Sequence, residues 1–274
     1  MPSRFRFQGH AVGAAGQIRS PFQEVIEVQA ASALPEIGGY GSGRSSTFRY
    51  REILHFDLAH TEVTGSQSGD CDKGPVYCTL IKSTIEGLNV MGMLTADRIV
   101  ANIVSTYRSG GDGEPSVKLI GTRFENLKIA GIPVRVDLAI DLFDRFDTHA
   151  SLRQAYRSDD EVRRLFEDVG LRRRLPEAPA KVQRWFHGPA PEDSDIPSTK
   201  GITSASLVRK LEPESSSVSC WGHVIHVDGF GVIRLAEIDI TQFTRRVTMV
   251  QIELGCPVEG RLMMCSGEDG GTEW

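Results

Sequence analysis

The sequence predicts a mainly β fold, an antiparallel sandwich or roll with a short helical insert, and three observations carry the prediction. Apolar residues recur with a period of two through most of the chain. Glycines stand where an apolar segment has to turn back on itself. One window, from Ile140 to about Leu175, changes to helical spacing. A β-solenoid-like stack is the alternative architecture. The chain is read as a single β-rich domain over 1–274, with a helical insert at 140–175, an exposed connector at 176–201 and a flexible tail at 266–274.

Taken in order, the Gly- and Ser-rich segment from Leu34 to Ser46 reads as a loop. From Phe48 to His60, Phe48, Tyr50, Leu54, Phe56 and Leu58 fall on one face of a strand. Arg49, Arg51, His55 and Asp57 fall on the other. Three later stretches share the pattern apolar, any, apolar, any, glycine: Leu88–Gly92, Leu127–Gly131 and Ile225–Gly229. Each is followed by a second apolar segment, so each predicts a hairpin with Gly92, Gly131 or Gly229 in the turn. Within the insert, Leu152, Ala155 and Tyr156 mark one short helix, with Asp147 or Thr148 as its N-cap. Ser158 and Glu161 form a capping-box pattern before Val162, Leu165, Phe166 and Val169, and Gly170 ends the run. The connector from Pro176 is rich in proline and charge, strand texture returns near Ile202, and the tail is polar.

The run STIEGLNVMGMLTADRIVA, then GTRFENLKIAGIPV, then GHVIHVDGFGVIRLAEI resembles the β-rich region of bacterial choice-of-anchor proteins. That resemblance implies a β-rich protein working at a surface and brings no catalytic residues with it. The chain differs from that pattern by its helical insert.

Composition sets limits on function. The formal net charge of −5 disfavours nucleic acid as the main partner. No stretch approaches the ~18 apolar residues of a spanning helix, and the first residues lack a signal-peptide pattern, so the expectation is a cytoplasmic protein without a membrane partner. The five cysteines, Cys71, Cys78, Cys220, Cys256 and Cys265, are an odd and sparse set, expected reduced; Cys71 and Cys78 flank a turn-like DKGPVY.

Several polar groups could carry chemistry. His223 and His226 lie three apart, which on a regular strand points them to opposite faces and away from a shared metal. His226 and Asp228 share a face and could form an acid–base pair, with Glu237 completing a cleft. His55 and His60 are expected on opposite faces. Asp137, Asp141, Asp144 and Asp147 could gather around a cation, but they lack the glycine and glutamate of a calcium loop. Arg172, Arg173 and Arg174 follow a helix end, where cations are favoured, and Arg245 and Arg246 read as a charged turn; an anion site would need the two clusters to meet. No phosphate loop, nucleophile elbow, zinc-spaced cysteines or dinucleotide fingerprint occurs, so no cofactor and no metal is expected. The leading expectation is a non-catalytic β scaffold acting through surface contacts or self-association as a homo-oligomer. The alternative is a small-ligand-binding protein or enzyme with a cleft lined by His226, Asp228 and Glu237.

Overall fold

Long alternating segments become long strands. The computed structural model describes residues 5–69, 74–110, 113–170, 202–215 and 218–273. The strands before the insert are β1 (Phe5–Arg6), β2 (Gly9–Ser20), β3 (Glu24–Ala33), β4 (Gly39–Tyr50), β5 (Leu54–Ser68), β6 (Val76–Val90), β7 (Leu94–Arg108), β8 (Ser116–Lys118), β9 (Arg123–Glu125), β10 (Lys128–Ile129) and β11 (Ile132–Leu138). Helices α1 (Ile140–Arg145), α2 (His149–Ser158) and α3 (Asp160–Gly170) follow. Then come β12 (Thr203–Ser206), β13 (Val208–Pro213), β14 (Ser219–Trp221), β15 (Val224–Val227), β16 (Gly231–Ile240), β17 (Arg245–Leu254), β18 (Glu259–Asp269) and β19 (Thr272–Glu273).

Among the described residues, sheet I runs β13-β11-β10-β7-β6-β5-β4, with β8 and β9 also on β7. Sheet II runs β14-β15-β16-β17-β18-β2-β3, with β12 also on β16. The pairings are antiparallel, which sets aside the solenoid-like stack and gives the predicted mainly β sandwich with a short helical insert. Each sheet takes strands from both sides of the insert, so neither half could close its core alone. β18 lies over β6 and β7, and β2 over β5 and β6. Between them Ile81, Ile85, Ile99 and Ile103 of sheet I meet Ala11, Ala14, Val250 and Met264 of sheet II, all fully buried. Each such isoleucine contributes about 1.5–3 kcal/mol by leaving water.

The glycine hairpins form as predicted. Met91 and Gly92 both have positive φ (54° and 67°), as do Ala130 and Gly131 (51° and 77°), the signature of the two-residue turns that match strand twist. The return strand of the first hairpin pairs with the outgoing strand of the second, Leu94 opposite Ile129, so the repeated motif is two neighbouring hairpins of one sheet. Gly229 (φ 71°) closes the β15–β16 turn.

A feature that alternation does not announce crosses both sheets. In sheet I, Thr47, Gly87 and Asn126 adopt left-handed φ of 50°, 64° and 51°. The register sets them in one transverse line, alternating with Asp57 and Asp97. In sheet II, Ala30, Cys265 and Ala236 (52°, 57° and 49°) line up in the same way, alternating with Gly13 and Met249. Each left-handed non-glycine residue costs on the order of 1–2 kcal/mol and reverses the inward–outward phase of its strand.

That reversal and one close approach correct four expectations. The Leu34–Ser46 segment is not all loop, because β4 starts at Gly39. Its glycines leave room for β3, whose Ala33 carbonyl would lie 2.7 Å from a Cβ on Gly41 and whose Ala31 carbonyl would lie closer still to one on Gly43. Phe48–His60 is a hairpin rather than one strand, turning at Arg51–Ile53 with the Ile53 N–H donating to the Tyr50 carbonyl. Leu58 falls on the outer side, because the buried positions of β5 shift from Leu54 and Phe56 to Ala59, Thr61 and Val63. The same shift puts His55 and His60 on one outer side instead of opposite faces.

Most of the polar tail is built into strands. Residues 266–269 finish β18, and β19 pairs with β1 at Phe5 and Arg6. Phe5 stacks on Tyr77 at 4.2 Å, while Tyr107 and Ser109 donate to the Glu273 carboxylate, so aromatic burial ties down a sequence that reads as polar.

In the insert, Thr148 is the N-cap of α2, accepting from the Ser151 N–H at 3.1 Å. Ser158 caps nothing: it is still inside α2 and donates back to the Gln154 carbonyl. Asp159 caps α3 instead, accepting from the N–H groups of Glu161 (2.9 Å) and Val162 (3.2 Å). Leu152, Ala155, Tyr156, Val162, Leu165 and Phe166 are buried as their spacing predicts. The connector at 176–201, Arg172 to Arg174 and Cys71 lie outside the described residues.

Candidate functional site

The polar residues singled out in the sequence do not gather in one cleft. His226 sits opposite Val232 on β16, and Glu237 lies five residues further along that strand, roughly 16 Å away at about 3.3 Å per residue. His226 Nδ1 faces Asp228 Oδ1 at 3.5 Å, and Asp228 is fully exposed at the hairpin tip. The proposed His226–Asp228–Glu237 cleft is therefore corrected to a surface pair and a separate buried carboxylate.

Glu237 is the centre of a different constellation. β16 changes partner along its length, from β15 to β12, and His223 stands at the junction, its carbonyl accepting from the Leu235 N–H. The His223 ring is buried, and its Nε2 lies 2.9 Å from Glu237 Oε1. Arg234 Nη1 donates to both Glu237 oxygens (3.0 and 2.9 Å), and Gln251 Nε2 donates to Oε2 (3.0 Å). Arg234 Nη2 also donates to the Gln251 oxygen. Burial pushes the Glu237 carboxyl up, but the His223 and Arg234 bonds and charges outweigh it and hold the group below its ordinary range. Glu237 is thus an ionised, fully engaged carboxylate.

This network braces one wall of an open groove of about 300 Å³ on the outer face of sheet II. Arg234 and Gln251 form that wall, Ala15 and Met263 the apolar part, and Gln17, Glu253 and Arg261 the other side. Arg261 stands directly opposite both Glu253 and Gln17 in the ladder. The charges of the site, Arg234 with Glu237 and Arg261 with Glu253, balance. A larger basin of about 500 Å³ lies at the hairpin ends and is lined by Arg49, Arg51, Glu52, His55 and Asn89. Its arginines are half-exposed and tied to Glu52 and Glu24, so it lacks the buried support of the groove.

A profile described as a domain of unknown function, DUF8256, matches residues 5–241. The chain belongs to that family. The match covers the strands of sheet I, the insert, and sheet II strands β2, β3, β12 and β14–β16 of this DUF8256 chain, including His223, Arg234 and Glu237, and stops before β17 and Gln251. No curated protein and no solved structure matches it.

The remaining candidates have structural partners. Asp137, Asp141 and Glu161 surround Arg209 of β13, at 3.6, 2.5 and 2.6 Å, clamping α1 and α3 to sheet I. The Arg209 hydrogen bond holds the Asp141 carboxyl below its ordinary range. Asp144 accepts from the Leu119 N–H, and Asp147 from the Ser116 hydroxyl. Arg246 pairs with Glu268, whereas Arg245 is buried rather than part of a charged turn. No group of three His, Cys, Asp or Glu placed to hold a metal occurs among the described residues.

Sequence reasoning misses Arg234 and Gln251, and it takes His223 only as a possible metal ligand beside His226. Arg234 and Glu237 are three apart, which places them on opposite faces of a regular strand. Only the left-handed Ala236 between them turns both to one side, and nothing in Arg-Leu-Ala-Glu signals that conformation.

Proposed function

We propose that this DUF8256 chain is a non-catalytic β scaffold acting through surface contacts, with the sheet II groove as the place of contact. The observation that best supports this reading is the saturation of Glu237. A carboxylate bonded to His223, Arg234 and Gln251 is a brace, and it fixes two groove side chains before any contact forms. A general base needs a lone pair within reach of a substrate proton, and these lone pairs are already occupied. The balanced charges favour a small neutral group with an apolar body for Met263 and Ala15 and a hydrogen-bonding head for Gln17 and Gln251.

Self-association belongs to the same proposal, through β4, a strand of 12 residues bonded to β5 along one side. Sedimentation over a concentration series tests it: a constant molecular weight at the monomer value removes this route. No helix among the described residues is long and apolar enough to cross a membrane. The free thiols of Cys78, Cys220, Cys256 and Cys265 support a reducing, cytoplasmic location, and the likeness to choice-of-anchor proteins supports a bacterial source.

A second reading, an enzyme, is favoured by one observation: the carboxylate-oriented imidazole of His223. One titration separates the two. Isotope-labelled protein is titrated with isopropanol and N-methylacetamide, and amide shifts are followed by NMR. The scaffold reading expects saturable shifts around residues 15–17, 251–253 and 261–263, lost in the groove-filling variant Ala15→Trp. Shifts centred on the His223 turn, and unchanged by Ala15→Trp, would favour the enzyme.

A further inference from the structure

Among the described residues, one charged group of the interior has no hydrogen bond. Asp269, the last residue of β18, is 1% exposed, and neither carboxylate oxygen has a hydrogen-bond partner. Its register partner Arg245 is 2% exposed and lies opposite it on β17. The guanidinium is not within ion-pair reach of Asp269: its Nη1 donates to the carbonyls of Thr241 and Thr244, and its Nη2 has no partner. Glu114, which accepts from the Ala150 N–H and faces His149 at 3.9 Å, draws on Arg245 from the other side. The Thr79 and Ser105 hydroxyls of sheet I and the Gly270 N–H all draw on the Asp269 carboxylate from outside hydrogen-bond geometry. Glu268, His10 and Arg246 form a separate cluster one residue away, on the opposite face of the sheet.

Asp269 is three residues from the clasp that joins the chain ends. The Gly270 N–H donates to the Gln8 carbonyl, Gly271 lies against the Phe5 ring with no room for a Cβ, and β19 then pairs with β1. The anchors of the clasp, Tyr77 and Tyr107, stand on the same two strands as Thr79 and Ser105. A carboxylate that leaves the interior must therefore carry the clasp with it.

We propose that the β1–β19 clasp is a proton-operated latch, closed while the Asp269 carboxyl is protonated and loosened when its proton goes to solvent. In the protonated state the O–H can donate to Thr79 or Ser105 and leaves no bare charge between the sheets. In the ionised state the charge has no touching cation and no donor in full hydrogen-bond geometry, only the nearby Ser105 and Thr79 hydroxyls and the Gly270 N–H, and its relief is outward movement of the strand end. Burial, opposed by Ser105 and Arg245, pushes this carboxyl up to about 6 from 3.8, which places the change near neutrality.

Hydrogen exchange tests the latch, with intrinsic rates divided out and residues 99–103 of the core as reference. Protection of residues 5–8 and 271–273 is compared at pH 5 and pH 8. Wild type is expected to lose about tenfold in clasp protection at the higher pH, a share of what a shift of about two units allows. Asp269→Asn, a neutral mimic of the protonated state, should keep the clasp closed at both values. Glu268→Gln, which changes the outward neighbour, should keep the wild-type response; this separates Asp269 from the Glu268–His10–Arg246 cluster. Equal wild-type protection at both pH values overturns the latch, as does a wild-type response in Asp269→Asn or failure of that variant to fold.

Discussion

Glu237 and Asp269 are both buried carboxylates on sheet II, and their surroundings drive them in opposite directions. Glu237 has a touching guanidinium and imidazole, so its folded value falls. Its stabilisation is present above the ordinary glutamate range and is lost as pH drops through the lowered value. Glu237→Gln should destabilise the protein by about 3 kcal/mol, since it strands the buried His223 ring and the half-buried Arg234. Denaturant midpoints at pH 7 measure this, and an unchanged midpoint would mean the network is ornamental. Asp269 has the reverse sign: its contribution is full below about 3.8 and is lost as pH rises through about 6. Asp269→Asn should therefore stabilise the protein at pH 8 and flatten the slope of its thermal midpoint between pH 4 and 6. A lower midpoint at pH 8 would show that the ionised carboxylate is better satisfied than its geometry allows.

At the scale of elements, local signals worked where they depend on chain spacing and failed where a neighbour decides. The helical faces of α2 and α3 and the glycine hairpins were legible, because period and turn chemistry are local properties. The choice of Asp159 over Ser158 as the α3 cap was not, since either oxygen suits a cap and the break between helices selects one. Asp159→Ala should weaken α3 by about 1 kcal/mol and Ser158→Ala by under about 0.5, read from hydrogen exchange of residues 160–166. Equal effects would return the cap to Ser158. The glycines of β4 misled for another reason: Gly41 and Gly43 keep room for the β3 carbonyls rather than mark a loop. Gly43→Val should lower the thermal midpoint more than Gly92→Val, where open space surrounds the glycine and only backbone strain of about 1–2 kcal/mol opposes the change. The reverse order would mean that β3 and β4 separate easily.

At the scale of the molecule, the fold class was legible and the site was not, and one cause accounts for both. Period-two alternation over long segments suffices to give two stacked antiparallel sheets. The two rows of left-handed residues shift that alternation midway along the strands, and Thr47, Ala30 and Ala236 are not residue types that mark positive φ. Face assignments read across the sheet I row therefore came out reversed, with Leu58 outward and His55 and His60 on one side rather than opposite ones, and the partnership of Arg234 with Glu237 could not be seen. On the function proposed above, the braced groove, and not the His226–Asp228 pair, is where this protein makes contact. The most direct test is a crystal structure determined after soaking in isopropanol and N-methylacetamide. Probe density is expected in the groove, beside Met263 and the Gln251 amide, with Arg234 and Glu237 unmoved. An empty groove with probe ordered against His226 and Asp228 would contradict it.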